Sequence, residues 1–127
     1  MSGVLLDTHV ALWLVADPGR LGERARSLLS TRPVWVSAVS LWEVAIKQQL
    51  GKLTMGADLA AALRGAGVRE LALNWSHASG YAATFLTHRD PFDRMLVTQA
   101  RTAGYDFVTA DRAILASDLP FVIDARL

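Results

Sequence analysis

The fold is set near the amino terminus, where the stretch Val4-Leu5-Leu6-Asp7-Thr8-His9 leads into a helical pattern. The three apolar residues Val4–Leu6 have the length and composition of a strand that is buried on both faces. Apolar positions at helical spacing then continue to Ala16, and Asp17-Pro18-Gly19 ends the pattern. A buried strand that is followed at once by a helix is typical of an α/β protein with a parallel sheet.

The same alternation of apolar runs and helical patterns continues along the chain. Strands are predicted at Val4–Leu6, 34–36, 68–73, 107–108 and 121–123. Helices are predicted at 9–16, 23–29, 40–50, 58–64, 76–86 and Pro91–Ala103. The last of these begins with a proline and is followed by Gly104, as helices often are. We therefore predict an α/β fold with a parallel sheet of four to five strands.

Length and composition predict a single globular domain over residues 1–127. The apolar fraction of 52% and the mean hydropathy of +0.27 argue against disorder. The chain has no cysteine, which excludes disulfides, thiolate zinc sites and cysteine nucleophiles. Met1-Ser2-Gly3 lacks a basic signal region, and the apolar start is interrupted at Asp7, so we expect a cytoplasmic protein without a membrane span.

Four of the 12 acidic residues stand at junctions of the predicted elements. Asp7 follows the first strand, and Glu43 is expected in the first turn of the helix after the second strand. Asp93 is expected in the first turn of the helix Pro91–Ala103, and Asp111 follows the fourth strand after Thr109 and Ala110. Strand-to-helix junctions of a parallel sheet lie at the same edge, so Asp7, Glu43 and Asp111 are predicted to converge there. Asp93 faces the same edge if its helix leads into the fourth strand.

Taken singly, each acid also has a structural explanation. Asp7 and Asp111 could cap helices, and Asp90 is a good N-cap with Asp93 favourable to the helix dipole. Ser40 and Glu43 match a capping box, and Glu43 with Lys47 has the spacing of an i,i+4 ion pair. Such a cap is worth about 1 kcal/mol and acids are common at helix starts.

Two further observations favour a shared site. Asp93 falls on the helix stripe of Leu96, Val97 and Ala100, and Glu43 falls in line with Val39, Ile46 and Leu50, which are sides that a cap does not need. Like charges about 4 Å apart repel by about 4 kcal/mol at an effective dielectric near 20, so four clustered carboxylates require protons or a cation. Oxygen ligands without histidine or cysteine select a hard cation, Mg²⁺ or Mn²⁺, which suits phosphoryl chemistry.

At these positions the sequence resembles the PIN-domain nucleases, and specifically the VapC-type toxins of bacterial toxin–antitoxin pairs. The matching segments occur in the family's order and extend over nearly the whole chain: Leu5-Leu6-Asp7-Thr8-His9, Ser40-Leu41-Trp42-Glu43-Val44-Ala45-Ile46-Lys47, His88-Arg89-Asp90-Pro91-Phe92-Asp93-Arg94-Met95-Leu96 and Thr109-Ala110-Asp111. The resemblance implies a PIN-like three-layer α/β/α sandwich, and an endoribonuclease that hydrolyses RNA phosphodiester bonds with Mg²⁺ or Mn²⁺.

The resemblance also implies site residues and partners. Asp7, Asp93 and Asp111 correspond to metal ligands, and Glu43 corresponds to a fourth acid that acts directly or through water. Thr109 stands where the family often keeps a hydroxyl, and Asp90 would remain an N-cap near the site. The implied partners are an RNA substrate, an antitoxin whose tail enters the site, and a second copy of the chain in a homodimer or higher assembly.

Several other side chains have two interpretations each. Arg94 and Arg112 follow site acids and could contact substrate phosphates or steady the neighbouring carboxylate. His9, His77 and His88 lack metal-ligand spacing. Trp13, Trp35, Trp42 and Trp75 could stack on bases, although core or dimer packing is favoured, and the apolar stripe of the first helices is a candidate dimer interface.

Two other classes of protein with a similar fold are excluded because residues that they require are absent, and one alternative function remains open. A phosphorylated receiver domain needs an aspartate after the third strand, where Leu73-Asn74 stands instead. A haloacid-type phosphatase needs Asp-x-Asp after the first strand, and position 9 is His9. The open alternative is a non-catalytic PIN-like module that sequesters RNA or a protein partner. The intact acid set favours catalysis.

Overall fold

Five parallel strands form the centre of the computed structural model, which describes residues 2–56, 58–83 and 90–127. The strands are β1 (Val4–Leu6), β2 (Val34–Ser37), β3 (Arg69–Leu71), β4 (Asp106–Thr109) and β5 (Val122–Asp124). Their order in the sheet is β3-β2-β1-β4-β5, so the chain starts in the middle and builds towards each edge in turn. In register, Val4 is paired with Val34 on one side and with Asp106 on the other.

Helices connect the strands and cover the sheet. They are α1 (Thr8–Ala16), α2 (Glu23–Thr31), α3 (Ala38–Gln49), α4 (Leu59–Gly65), α5 (Trp75–Gly80), α6 (Pro91–Ala103) and α7 (Arg112–Leu115), with short 3₁₀ turns at Pro18–Arg20 and Tyr81–Ala83. Across the described ranges, no helix has both the length and the apolar composition that crossing a bilayer requires.

The core lies on both faces of the sheet because β1 is buried on both faces. Val4 and Leu6 belong to one apolar cluster, which includes residues of α1 and α4. Leu5 belongs to the other cluster, where it packs with Leu96 of α6 and Phe107 of β4. Strand alternation thus sends neighbouring side chains to opposite helical layers. The predicted three-layer α/β/α fold is confirmed.

The main error of the sequence interpretation concerns the start of α3. The helix was predicted to begin at Ser40, but it begins at Ala38 with Ser37 as the N-cap, whose hydroxyl accepts from the Val39 amide. Glu43 therefore lies in the second turn rather than the first, and the capping box of Ser40 and Glu43 is wrong. The proposed line of apolar neighbours also fails at Leu50, which is 63% exposed.

Other predicted elements differ in length from the observed ones. The third strand is shorter than the predicted 68–73, because only Arg69–Leu71 pairs with β2. The predicted helix 76–86 is the single helix α5 followed by a 3₁₀ turn, and its last part lies outside the described residues. Helix α6 has the predicted bounds, with Asp90 as N-cap and Gly104 in the left-handed conformation at its end.

Candidate active site

Five carboxylates line one cleft of about 390 Å³. They are Asp7, Glu43, Asp90, Asp93 and Asp111. The cleft lies where β1, β2 and β4 end and the helices α1, α3, α6 and α7 begin. The structure therefore brings together the four acids that the sequence singled out, and it adds Asp90, which was expected beside them.

Asp7 is the most enclosed of these aspartates, at 4% exposed. One carboxylate oxygen accepts from the amide of Thr8 at 2.7 Å, and the other accepts from the hydroxyl of Thr109 at 2.6 Å. Burial raises the pKa of Asp7 above its ordinary value, and the charge of Glu43 adds to the rise, while Thr109, Thr8 and His9 oppose it. Its charged form thus depends on a small number of donors in a site that water hardly reaches.

Glu43 is also 4% exposed, and both of its carboxylate oxygens have partners. The hydroxyl of Thr8, which lies 2.9 Å from Ser40 Oγ, donates to Oε1 at 2.7 Å. Lys47 Nζ lies 2.8 Å from Oε2, as the i,i+4 spacing predicted. The bond to Glu43 raises the pKa of Lys47, desolvation opposes this, and the charges of Asp90 and Asp93 add to it. Lys47 therefore supplies part of the positive charge that the acid cluster requires.

We expect Lys47→Met to lower the free energy of unfolding by about 1–2 kcal/mol, because Glu43 would keep a buried charge with the Thr8 hydroxyl as its remaining partner. The loss is smaller than for a fully buried pair, since the Lys47 side chain is 37% exposed and solvent screens it. Urea unfolding would measure it. Lys52→Met is the matched control, because Lys52 is exposed. Equal effects of the two substitutions would contradict the role of Lys47.

Asp90 and Asp93 take different positions at the start of α6. Asp90 is the N-cap, and its Oδ1 accepts from the amides of Phe92 at 2.8 Å and Asp93 at 3.2 Å. Asp93 is half-buried in the first turn, at the top of the stripe that Leu96, Val97 and Ala100 bury. The capping role of Asp90 is confirmed, and both carboxylates face the cleft.

Asp111 and Thr109 form the β4 side of the cleft. Asp111 is the N-cap of α7, and its Oδ1 accepts from the amides of Ala113 and Ile114. Thr109 is fully buried, donates to Asp7 and accepts from the Asp111 amide at 3.0 Å. One hydroxyl therefore ties the acid that follows β1 to the loop that carries the acid after β4.

The described residues that line the cleft do not include Arg94 and Arg112, whose contact with substrate stays a prediction. Arg94 packs over the ring of Tyr81 at 4.9 Å, and Arg112 is exposed on α7. The basic side chains that line the cleft, among the residues described, are Lys47 and Arg126, with His9 beside them. His77 is buried in the capping box of α5 with Asn74, and His88 lies outside the described residues.

The sequence interpretation assigned no site role to Thr8 and Arg126, and it favoured core or dimer packing over base stacking for Trp13. Thr8 stands next to Asp7 in the first matching segment, which is a signal that could have identified it. Arg126 had no such signal, because its place in the cleft depends on the carboxyl-terminal segment after β5 returning beside α1.

The donors of the cleft fit a hard divalent cation by their chemistry. They are carboxylate oxygens, which Mg²⁺ and Mn²⁺ prefer. In the portions of the chain that the structure describes, no three histidine, aspartate or glutamate side chains are grouped closely enough to hold an ion. What supports a metal is thus the number and type of donors rather than a preformed cage.

Comparison with known proteins gives a consistent result. The PIN domain family model matches residues 4–118. Ribonuclease VapC22 of Mycobacterium tuberculosis is 30% identical over 122 residues, which cover 90% of this chain and 91% of that protein.

Solved structures of low sequence identity share the fold. A toxin–antitoxin complex from Klebsiella pneumoniae matches with a TM-score of 0.64 at 15% identity, over 94% of this chain and 95% of that one. VapBC2 from Rickettsia felis, bound to a DNA fragment from its promoter, gives a TM-score of 0.66 at 14% identity over 96% of both chains. FitAcB from Neisseria gonorrhoeae gives 0.62 at 21% identity, over 94% of this chain and 96% of that one.

Proposed function

Since the chain belongs to the PIN domain family, with VapC-type toxins as relatives, we propose that it is a metal-dependent endoribonuclease that acts as the toxin of a toxin–antitoxin pair. The observation that carries the proposal is the convergence of five carboxylates on one cleft at the carboxyl edge of the sheet. Family membership supplies the reaction class, and the cleft supplies the groups that this reaction needs.

In the proposed reaction, water adds to the phosphorus of an RNA phosphodiester, and the bond from phosphorus to the leaving oxygen breaks. Asp7, Asp93 and Asp111 would hold Mg²⁺ or Mn²⁺, with Glu43 as the fourth acid, directly or through water. When bound, the cation polarises the phosphate, lowers the pKa of water and stabilises the leaving oxygen. Thr109 keeps the Asp7 carboxylate oriented, and Lys47 and Thr8 keep Glu43 oriented.

The experiment that tests the function uses partner-free protein and total cellular RNA, with Mg²⁺ or Mn²⁺, and maps new 5′ ends by sequencing. We expect discrete ends that disappear with a chelator and in Asp93→Asn, which keeps the shape of the side chain but removes its charge. Asp58→Asn is the matched control, since Asp58 caps α4 and an asparagine caps equally well.

The outcome without cleavage favours the alternative of a non-catalytic module. If the folded protein binds metal and RNA but no new ends appear, a role in sequestering RNA or a protein partner replaces the nuclease. The two proposals therefore differ in one measured result, the appearance of metal-dependent RNA ends.

The proposal includes an antitoxin partner, a cytoplasmic location and a single PIN-like domain over residues 1–127. The antitoxin is supported by the structural neighbours, two of which are a toxin–antitoxin complex and VapBC2. We propose in addition a homodimer, as the resemblance implies. The apolar surface that supports the dimer is not the stripe of the first helices. In α1, the side chains that pack against the core are those of Leu12, Trp13, Leu14 and Val15.

The support for a dimer is an apolar surface beside α3. Trp42 is 60% exposed, with Phe92 packed edge-on at 5.2 Å, and both line a groove with Leu73, which is 45% exposed. Trp75, two residues beyond Leu73, is 91% exposed. Large apolar side chains that are exposed together are typical of protein interfaces.

We expect Trp42→Ser with Trp75→Ser to weaken the dimer at least 30-fold, because truncation of one central aromatic residue costs about 2 kcal/mol or more. Light scattering across a micromolar concentration series would show it. Leu50→Ser is the control, since Leu50 is 63% exposed at the far end of α3. A wild-type monomer throughout the series would refute the dimer.

A further inference from the structure

Arg126 enters the cleft from the carboxyl-terminal segment and is held there by two contacts. Its Nη1 donates to the carbonyl of Ala110 at 2.8 Å, directly before Asp111. Its guanidinium carbon lies 5.8 Å from the ring centroid of Trp13 on α1. The backbone is fixed as well, because the Arg126 amide donates to Asp124 at 2.8 Å. These contacts hold a permanent positive charge at the edge of a carboxylate-lined cleft.

The partners of Arg126 are unusual for an arginine near carboxylates. In residues 2–56, 58–83 and 90–127, its guanidinium forms no ion pair with an acid, although five acids line the same cleft. Its contacts are a neutral carbonyl and an aromatic ring, which fix the group without neutralising it. An arginine has five N–H donors, so a guanidinium with one carbonyl partner keeps donors for a further acceptor.

A second arginine lies beside the same ring. Arg20 is 5.7 Å from the Trp13 ring centroid, and it forms an exposed ion pair with Asp17 at 3.1 Å. Trp13 thus has two guanidinium neighbours, and the one in the cleft is Arg126. A cation that contacts an indole ring is held by the negative face of the ring, which fixes its position with little loss of charge.

We propose that Arg126 is a substrate-binding residue that contacts an RNA phosphate next to the scissile one, and that Trp13 is the residue that positions it. The inference rests on the proposed function for its substrate. A polyanionic strand is repelled by the five carboxylates, so its approach requires a cation beside them. Arginine suits this task because its planar donors match phosphate oxygens.

The test measures RNA binding without cleavage. A fluorescein-labelled pool of single-stranded 20-nucleotide RNA of random sequence is titrated with protein in a chelator, and anisotropy gives Kd from 50 to 300 mM KCl. We expect Arg126→Gln to raise Kd about 10-fold at 100 mM KCl. The slope of log affinity against log salt should become shallower by about 0.7, the value for one phosphate contact on a single strand.

Two comparisons separate phosphate binding from a structural role. Arg26→Gln removes the same charge from an exposed position on α2, and it should leave both Kd and slope near the wild-type values. Arg126→Lys keeps the charge and should retain most of the slope. In Trp13→Leu, the further effect of Arg126→Gln should shrink, because the guanidinium is no longer held in place.

Other results would contradict either this inference or the proposed function. If Arg126→Gln melts earlier but binds RNA as Arg26→Gln does, Arg126 only ties the carboxyl-terminal segment to the sheet. If the wild type binds no RNA at any salt concentration, this inference fails, whereas the proposed substrate is tested separately by the cleavage experiment with Mg²⁺ or Mn²⁺. If RNA binds through Arg126 but is never cut, the inference stands and the nuclease does not.

Discussion

Asp7→Asn is expected to lower kcat for RNA cleavage at least 100-fold and to make the metal-free protein more stable. Activity is lost because an amide replaces a proposed metal ligand, and single electrostatic contacts of an active site are worth this much. Stability rises because burial makes the charge of Asp7 unfavourable, as its raised pKa shows. We expect a gain of about 1 kcal/mol, or roughly 4 °C in Tm.

The sign of the pH dependence follows from the same shift. The pKa of Asp7 is above its ordinary value of 3.8 in the folded chain, so between the two values the folded state binds more protons than the unfolded state. Stability therefore falls as the pH rises through that window. The advantage of Asp7→Asn over the wild type should be absent near pH 3.8, grow through the window and stay constant above it.

Urea unfolding in a chelator from pH 4 to pH 8 measures this difference. Asp111→Asn is the matched control, because Asp111 is only half-buried and an asparagine can still cap α7. It should lose cleavage without gaining stability. A metal-free Asp7→Asn protein that is less stable than the wild type at pH 7 would show that the Thr109 and Thr8 donors outweigh the burial of the charge.

The gathering of the acids could be predicted because topology alone produces it. Buried runs such as Val4–Leu6 identify parallel strands, and the carboxyl ends of parallel strands share an edge. Asp7 and Asp111 follow such strands, so a few residues of error in a boundary do not move them to another edge. The same argument holds for Asp93, since α6 leads into β4 and therefore begins at that edge.

The role of Glu43 was less predictable because two serines compete to start α3. Ser37 ends a strand and caps the helix, whereas Ser40 offered a better match to a capping box. The local pattern favoured Ser40, but the hydroxyl that accepts from a backbone amide at the helix start is that of Ser37. Because the helix begins two residues earlier, Glu43 lies too far from its start to cap it. Its carboxylate accepts from the hydroxyl of Thr8 instead.

The contact between cleft residues from distant segments could not be predicted from the sequence. Trp13 and Arg126 are 113 positions apart, and no period or motif connects them. Their contact depends on the order of β4 and β5 and on the turn after Asp124, which only the folded chain defines. The exposure of Trp42 and Trp75 could not be predicted either. Both residues fit an apolar pattern, and such a pattern does not distinguish a core residue from an exposed one.

Thr109→Val should damage both the stability of the protein and its RNA cleavage. Valine keeps the volume of a fully buried side chain but loses the hydrogen bond to Asp7 and the acceptor for the Asp111 amide. A bond to a charged group is worth about 1.5–3 kcal/mol. Loss of an acceptor for the part-buried Asp111 amide costs less than the roughly 1–3 kcal/mol of a fully buried group. We expect a net loss of about 2–4 kcal/mol, a large part of the 5–15 kcal/mol typical of a domain.

If Asp7 holds the metal as proposed, catalysis should fall about 10–100-fold as well, because loss of a group that orients a metal ligand typically costs this much. The Thr109 bond lowers the pKa of Asp7 against the effect of burial, so its removal raises that pKa further. More of Asp7 is then protonated at a given pH, and Mg²⁺ competes with that proton. The Mg²⁺ concentration for half-maximal cleavage should therefore exceed the wild-type value by more at pH 6 than at pH 8.5.

Thr109→Ser separates the hydroxyl from the methyl group. Serine keeps both hydrogen bonds and loses one buried methyl, worth about 1 kcal/mol, so its Mg²⁺ requirement should follow the wild type at both pH values. Equal requirements in the serine and valine variants would mean that the hydroxyl does not control Asp7. A valine defect that is independent of pH would instead place the damage in the loop to Asp111, since that contact carries no titrating proton.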